Sequence, residues 1–184
     1  MTSLDPAGAL FEVGRVRDGR DLEGILELQR RNLPRSLDAR TAAEQGFVTV
    51  EHDLDVLRRM HALEPSIVAR SGGAVAGYAL VMPVACRSFI PVLEPMFHRL
   101  EGLKSRFYVM GQICVDRPWR GRGVFDALYR GHRDHLRSRY DLCVTEVSVR
   151  NTRSLRAHER VGFRELQRYR DATDDWVIVA WDWT

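Results

Sequence analysis

The stretch Ile113–Tyr129, ICVDRPWRGRGVFDALY, reads as the end of a strand, a turn and the start of a helix. Its apolar residues stop at Val115, and a new apolar pattern begins at Val124. Between them, Gly121 and Gly123 allow the backbone to turn sharply and to approach a ligand closely. The first amides of the following helix have no partner inside the helix, so they form an anion site that suits a pyrophosphate.

Two interpretations of this loop stay open from the segment alone. Arg120 and Arg122 add positive charge around the loop, which favours anion binding. A plain glycine turn before a helix would leave the same pattern, and Gly-x-Gly is a weak signal by itself. The rest of the chain has to distinguish between them.

The elements on either side of the loop predict a mixed sheet. One strand-helix-strand unit runs from Phe107 to Val149, so its two strands should be parallel. Gly72-Gly73 lies between two apolar runs and predicts a hairpin. The predicted order begins with strand Phe11–Arg17, a helix from Asp18 or Asp21 that ends near Asn32–Pro34, helix Leu54–Leu63, and strands Ser66–Ser71, Ala74–Val84 and Phe107–Asp116. It continues with a helix to about Tyr140, strand Leu142–Val149, helix Ser154–Val161, and strands Phe163–Arg170 and Trp176–Trp183.

Three segments have a weaker hydrophobic pattern, so their secondary structure is less well predicted. Residues 1–10 read as a flexible arm, and 11–184 as a single domain. Arg35–Asp53 has no clear periodicity, and Arg87–Lys104 reads as an inserted loop with one helical turn. The 184 residues, 45% of them hydrophobic, suit one domain with a full core.

The composition limits the cellular location and the classes of partner that are expected. No apolar run approaches the roughly 20 residues of a bilayer span, and no secretory signal is recognisable. We therefore expect a soluble, cytoplasmic protein without a membrane partner. The three cysteines lack metal-ligand spacing, which predicts buried free thiols and no metal. The net charge of +3 comes from dispersed arginines, so no nucleic-acid partner is expected.

Two sequence blocks resemble the GCN5-related N-acetyltransferase (GNAT) superfamily. Its signature, (Gln/Arg)-x-x-Gly-x-(Gly/Ala) after a hydrophobic strand, is matched by Arg120–Val124 behind Ile113–Val115. The second block is Asn151, Ser154 three residues later, and Gly162-Phe163. The matches cover residues 107–163, and the N-terminal half by topology only. The resemblance implies an α+β fold: a mixed, mostly antiparallel sheet of six to seven strands, helices on both faces, and a splayed central parallel pair.

The resemblance also implies an activity, namely transfer of an acetyl group from acetyl-CoA to a primary amine within a ternary complex, without a metal. The acceptor would be a small molecule or a peptide. Sheet-edge dimers are common in this family, so a homodimer is one expected arrangement. The residues that the resemblance assigns to the cofactor are Ile113, Cys114, Val115, Arg120, Gly121, Arg122, Gly123, Val124, Phe125, Asn151 and Ser154. Asparagine before a short helix is also a favoured cap, so Asn151 has a second interpretation.

The chain departs from the family pattern at two positions. Phe125 stands where the signature has glycine or alanine, and its ring must find space. His158 stands where many members have the tyrosine that is credited with protonating the departing thiolate. Imidazole can donate to a thiolate at neutral pH, so His158 is the general-acid candidate. The alternative is a histidine packed into the protein with its ring merely hydrogen-bonded.

The general base and the acceptor site are less defined. Glu146, on the strand after the glycine loop's helix, is the first candidate base, with Asp116 second. The family builds its acceptor site from the first two helices, their loop and the C-terminal strands. Here that means roughly Asn32–Asp55. This region offers four carboxylates to a cationic amine, although such a run is more often a solvated face: Glu44, Glu51, Asp53 and Asp55. Trp176, Trp181 and Trp183 alternate with other residues and should pack on one face of a strand.

Two other functions compete with acetyl transfer. A non-catalytic module that binds acyl-CoA would keep the cofactor loop and lose the acid. A dinucleotide-dependent oxidoreductase would also place Gly121-x-Gly123 between a strand and a helix. It requires an acidic residue at the end of the next strand, and neither Asp141 nor Glu146 is placed there.

Overall fold

The computed structural model describes residues 10–36 and 47–184, together with the backbone of residues 2–4. Its sheet has eight strands: β1 Thr2–Leu4, β2 Leu10–Arg15, β3 Ile67–Ser71, β4 Ala74–Pro83, β5 Phe107–Val115, β6 Leu142–Ser148, β7 Arg164–Arg170 and β8 Asp175–Asp182. They lie in the order β1-β2-β3-β4-β5-β6-β8-β7. β5 and β6 are parallel, and every other neighbouring pair is antiparallel.

Helices cover both faces of this sheet. They are α1 Gly19–Arg31, α2 Leu54–Leu63, α3 Glu94–Arg99, α4 Val124–Leu136 and α5 Thr152–Val161. One apolar core includes residues of α1, α2 and α3, such as Ile25, Met60 and Phe97. The core of the opposite face includes residues of α4, such as Leu128, with Leu155 of α5 packed against it. The mixed sheet between two helical layers confirms the expected fold class.

Side-chain caps fix where the helices begin. Asp18 accepts from the amides of Arg20 and Asp21 at 2.9 and 3.4 Å, which starts α1. Asp53 accepts from the amide of Val56 at 2.8 Å and starts α2. Short acidic side chains are favoured at these positions because they satisfy amides that the helix leaves unbonded.

The hairpin between β3 and β4 forms at the predicted glycines. Gly72 and Gly73 have φ values of +56° and +83°, the left-handed conformation that two-residue hairpin turns require. Ser71 pairs with Ala74 across the turn. The predicted hairpin is therefore confirmed.

The observed elements differ from the predicted ones in three places. Thr2–Leu4 is a strand paired with β2, although a flexible arm was expected there, so the sheet has one strand more than the expected maximum. Residues 1 and 5–9 lie outside the described part. The segment expected to be a loop with one turn contains the 3-10 helices Val84–Phe89 and Pro91–Leu93 as well as α3. The long helix ends at Leu136, four residues before the predicted end.

The parallel pair separates at its carboxyl end. β5 and β6 pair over three residues, and the last pair is Val109 with Val144. Beyond it, β5 stays paired with β4 as far as Val115, and β6 stays paired with β8 as far as Ser148. Among the described residues, no strand fills the opening between them. An opening of this kind, at the carboxyl ends of two parallel strands, is a usual place for a ligand to bind.

None of the helices in residues 10–36 and 47–184 combines the length and the apolar character that crossing a membrane requires.

Candidate active site

A cleft of about 770 Å³ lies at the opening between β5 and β6. Its floor is the end of β5, and its sides are the glycine loop with the start of α4, the start of α5, and a segment before α2. The residues that line it are Asn32, Phe47, Val48, Ile113–Val115, Trp119, Arg120, Gly121, Gly123–Asp126, Asn151–Ser154, Arg156, Ala157 and Arg160. All the cofactor residues predicted from the sequence, except Arg122, therefore line this cleft.

The glycine loop has the backbone conformation that its sequence predicts. Gly121 and Gly123 have φ values of +74° and +78°, which residues with a Cβ rarely adopt. The amide of Ala127 donates to the carbonyl oxygen of Gly123 at 3.0 Å, the first bond of helical spacing at the start of α4. The helix amides ahead of Ala127 therefore point towards the loop without a carbonyl of the preceding turn, an arrangement suited to an anion.

Arg120, the first residue of the signature, reaches into the protein. Its Nε donates to the carbonyl oxygen of Val115 at 3.0 Å, and its Nη2 donates to Oδ1 of Asn32 at 2.5 Å. Burial lowers the pKa of the guanidinium below its ordinary value, although an arginine stays protonated. The side chain joins the end of β5 to the residue that follows α1.

The wall formed by α5 is positively charged. Arg153 and Arg156 lie near its start and line the cleft. Arg160 also lines the cleft, and its Nη2 pairs with Oδ1 of Asp126 at 3.0 Å. On the glycine loop, the guanidinium of Arg122 lies 5.7 Å from the ring centroid of Trp119. Cations next to a helix N-terminus suit a ligand with several phosphate charges.

Asn151 caps α5 and also supports a neighbouring segment. Its Oδ1 accepts from the amide of Ser154 at 3.2 Å, which confirms the capping interpretation. Its Nδ2 donates to the carbonyl oxygen of Phe47 at 3.4 Å. Asn151 thus fixes one wall of the cleft relative to another, and its position on the lining leaves it able to contact a ligand.

The segment of residues 47–51, here called the crossing segment, lies inside the acceptor region that the resemblance implies, and two of its residues, Phe47 and Val48, also line the cleft. Its Val48 amide donates to the carbonyl oxygen of Asn32 at 3.1 Å, and its Val50 carbonyl accepts from Nε2 of Gln112 at 2.6 Å. Asn32 is 5% exposed and lines the cleft. The crossing segment has no apolar periodicity, so the pattern of its own residues did not indicate its place beside the cofactor loop.

His158 does not line the cleft. Its ring is 2% exposed, its Nε2 is 2.7 Å from the hydroxyl of Tyr129, and its Nδ1 is 2.8 Å from the carbonyl oxygen of Ser154. Burial lowers the pKa of the ring to about 4, so the imidazole is neutral at neutral pH. With both nitrogens engaged inside the protein, the ring has no exposed proton for a thiolate in the cleft. The packed-histidine interpretation describes this geometry.

Glu146 lies on β6, two positions beyond Val144, the last residue paired with β5. Its side chain faces the same side of the sheet as Val144, towards the core shared by α1, α2 and α3. Burial raises the pKa of its carboxyl group to about 7, although a hydrogen bond from Tyr169 acts in the other direction. A carboxylate with a pKa near 7 is suited to accept a proton at neutral pH. The residues that line the cleft do not include it.

Three of the other proposed carboxylates already have local partners. Asp116 accepts from the amide of Arg117 at 2.8 Å and therefore acts as a cap. Glu51 pairs with Arg35, and Asp53 caps α2. Asp55 lies in the first turn of α2. Glu44 lies outside the described residues.

The three tryptophans do not share one face, contrary to the prediction. Trp181 and Trp183 pack against the core that contains Val177 and Val179. Trp176 lies five positions before Trp181, an odd offset, along the regular β6–β8 ladder. It therefore points to the opposite face, because side chains alternate along a strand.

The glycine loop also excludes the dinucleotide-binding alternative. It follows β5, a central strand of a mixed sheet, whereas a Rossmann domain places its glycine loop after the first strand of a parallel sheet. Within residues 10–36 and 47–184, no group of three or more His, Cys, Asp or Glu side chains is arranged to hold a metal ion.

Comparison with known proteins identifies the same fold and family. The model of the acetyltransferase (GNAT) family matches residues 23–163. No curated protein sequence matches the chain. An acetyltransferase of the GNAT family from Listeria monocytogenes superimposes with a TM-score of 0.68 at 15% identity, covering 100% of both chains.

Two further similar structures contain bound ligands. A Salmonella typhimurium protein with its cofactor acetyl-CoA has a TM-score of 0.63 at 18% identity, covering 94% of this chain and 93% of its own. The NatC complex bound to Gag peptide and CoA has a TM-score of 0.65 at 16% identity, covering 95% and 99%. At these identities the likeness shows the fold alone.

Proposed function

Because the chain belongs to the GNAT acetyltransferase family, we propose that it transfers an acetyl group from acetyl-CoA directly to a primary amine in a ternary complex. The observation that carries this proposal is the cleft at the β5–β6 opening, where the left-handed glycine loop and the start of α4 meet the unpaired edge of β5. Acetyl-CoA supplies the activated acyl group, held as a thioester.

The residues of the cleft fit the parts of this donor. The backbone of Gly121–Phe125 would hold the pyrophosphate, and the arginines of α5 would balance its charge. The unpaired edge of β5 at Ile113–Val115 would pair with the amide-containing pantetheine arm as an added strand does. An amide of this edge would donate to the thioester oxygen and stabilise the negative charge that develops there during attack.

Glu146 is the proposed general base. The acceptor amine must lose a proton to attack, and the Glu146 carboxylate would accept it directly or through a water molecule. The nitrogen then forms its bond to the acyl carbon while the carbon–sulfur bond breaks. The thiolate that leaves takes up a proton from water at neutral pH, because the pKa of a thiol is near 8.5, so the reaction does not require a dedicated acid side chain. The acid role of His158 stays a prediction, and the burial of its ring disfavours it.

The acceptor is proposed to be a primary amine of a small molecule or a peptide. The NatC structure with a bound peptide supports the peptide class by fold likeness. Side chains around Glu146, on the face of α1, α2 and α3, would form the acceptor side of the site. The non-catalytic acyl-CoA module stays the second candidate because the His158 ring is withdrawn from the cleft.

The test is incubation with acetyl-CoA and a panel of small amines and peptides, with detection of free thiol and of the acetylated acceptor. Glu146→Gln should lower kcat by roughly a hundredfold or more and leave the Kd for acetyl-CoA unchanged. Glu165→Gln is the matched control, because Glu165 is an exposed carboxylate on β7 that pairs with Arg168. Tight binding of acetyl-CoA without turnover on any acceptor would favour the non-catalytic module.

A further inference from the structure

Glu146 is held by a tyrosine from a strand that is not its neighbour. Tyr169 lies on β7, and β8 separates that strand from β6. Its side chain reaches across β8, and its hydroxyl donates a hydrogen bond to Oε2 of Glu146. Among the described residues, Oε1 of Glu146 has no hydrogen-bond partner. One carboxylate oxygen is therefore fixed and the other is left for an incoming proton.

An arginine stacks on the ring of Tyr169 and helps to fix it. The guanidinium carbon of Arg99, in the last turn of α3, lies 4.0 Å from the centroid of the Tyr169 ring. Arg99 is anchored by Nη1, which donates to the carbonyl oxygen of Pro95 at 2.8 Å. The ring also packs against the core under α1, α2 and α3. A ring that stacks against a cation and packs against the core has little freedom to leave the carboxylate.

We propose that Tyr169 is a positioning residue for acetyl transfer, which orients the Glu146 carboxylate towards the acceptor amine and favours its charged form. This inference rests on the base role of Glu146 proposed above. The hydrogen bond occupies Oε2 and stabilises the carboxylate, because a donor to a charged group favours the charged form. The stacked Arg99 holds the donor in place.

The groups that act on Glu146 give the direction of the pH effect. Burial raises the pKa of Glu146 to about 7, Asp171 acts in the same direction, and both Tyr169 and Arg99 act against it. Asp171 follows β7 and accepts from the amide of Thr173 at 2.7 Å, so it belongs to the same hairpin. Loss of the Tyr169 hydroxyl removes a stabilising donor and raises the pKa of Glu146 further.

The experiment compares Tyr169→Phe with Tyr140→Phe over the pH range of activity. Tyr140 is the matched control, because its ring packs with Tyr108 on the opposite face of the sheet. In Tyr169→Phe, the acidic limb of the kcat/KM profile should move up by about one pH unit. Activity at pH 6.5 should then fall roughly tenfold, and activity above pH 9 should be close to that of the unmodified protein. An equal loss at every pH, or no change, would overturn the proposal.

A second readout separates this proposal from the proposed function. Titration of the Glu146 carboxyl by NMR in protein with labelled glutamate, assigned with Glu146→Gln, reports its pKa without any turnover. A higher pKa in Tyr169→Phe, with the pKa unchanged in Tyr140→Phe, supports the link between Tyr169 and Glu146. If that shift occurs and the unmodified protein acetylates no amine, the transferase proposal fails while the link holds. An unchanged pKa in Tyr169→Phe rejects the link even in an active enzyme.

Discussion

Phe125 and His158, the two positions where the chain departs from the family pattern, are in contact. Their rings lie edge to face, with centroids 5.4 Å apart and planes at 89°. Both also contact Tyr129, with centroids 5.2 and 5.5 Å away. The space for the Phe125 ring is thus provided beside a withdrawn His158 ring. The two departures form one packing arrangement between α4 and α5.

Phe125→Ala tests whether this ring acts as packing or as a cofactor contact. The half-buried ring would be replaced by a methyl group, and the loss of its aromatic contacts should lower the free energy of unfolding by about 2 kcal/mol. The amide of residue 125 is kept, so the Kd for acetyl-CoA should change less than threefold. Chemical denaturation and calorimetric titration measure the two quantities. A change in Kd above tenfold would mean that the ring itself contacts the cofactor.

His158→Phe should affect stability more than turnover. The substitution leaves the buried Tyr129 hydroxyl without its acceptor, at a cost of about 2 kcal/mol. Tyr129→Phe removes the same hydrogen bond from the other side and is the matched control. The two substitutions should be less than additive in the double variant, because they delete one shared interaction. A fall in kcat with unchanged stability in His158→Phe alone would restore the acid role.

Three buried histidines should make the fold sensitive to mild acid. Burial lowers the pKa values of His52 and His158 to about 4 and that of His132 to about 3. Each ring is neutral in the folded state, and the unfolded chain takes up protons below pH 6.5. The stability that they contribute is therefore present above pH 6.5 and falls as the pH drops towards 4. The effect of Glu146 on the free energy of unfolding has the opposite sign, because its pKa is raised to about 7 in the folded state. This carboxyl group stabilises the fold as the pH drops through 7.

The net effect follows from summing these groups. Between pH 7.5 and pH 5 the histidines outweigh Glu146, and the free energy of unfolding should fall by an amount on the order of 3 kcal/mol. Urea denaturation at several pH values measures it. In Glu146→Gln the fall should become steeper, since the opposing carboxyl is gone. A stability that is flat over this interval would contradict the neutral, buried state of the three rings.

The parts of the molecule that were predicted correctly are those with a local cause. The Gly72-Gly73 hairpin and the Gly121–Gly123 loop require left-handed backbone, and the sequence places glycines there. Helix α2 was predicted at its observed bounds, Leu54–Leu63, with its end just before Pro65. Each of these features depends on a few adjacent residues and needs no knowledge of the rest of the fold.

The parts that were missed depend on contacts between distant segments. The direction of the His158 ring depends on how α5 packs on Tyr129, 29 residues away. The Tyr169–Glu146 contact requires the strand order β6-β8-β7, in which β7 is not next to β6. The crossing segment is held by hydrogen bonds with Asn32 and Gln112, which lie far from it along the chain. No local pattern encodes such contacts.

Gly123→Ala tests the loop on which the cofactor site was predicted. Gly123 has φ of +78°, and a Cβ added there would meet no atom within 4 Å, so the cost to the free protein is backbone strain of about 1 kcal/mol. Gly102 is the matched control, with φ of +85° and equally open space, and it does not line the cleft.

Both alanine variants should lose a similar amount of stability, because the strain is the same. Only Gly123→Ala should weaken acetyl-CoA binding, by roughly tenfold or more, since its methyl group stands where the backbone must approach the pyrophosphate. Calorimetric titration with acetyl-CoA and with free coenzyme A gives the Kd values, and both ligands should be affected alike because they share the pyrophosphate. Equal affinities in the two variants would mean that the pyrophosphate binds elsewhere in the cleft, and the loop would then be a structural turn before α4.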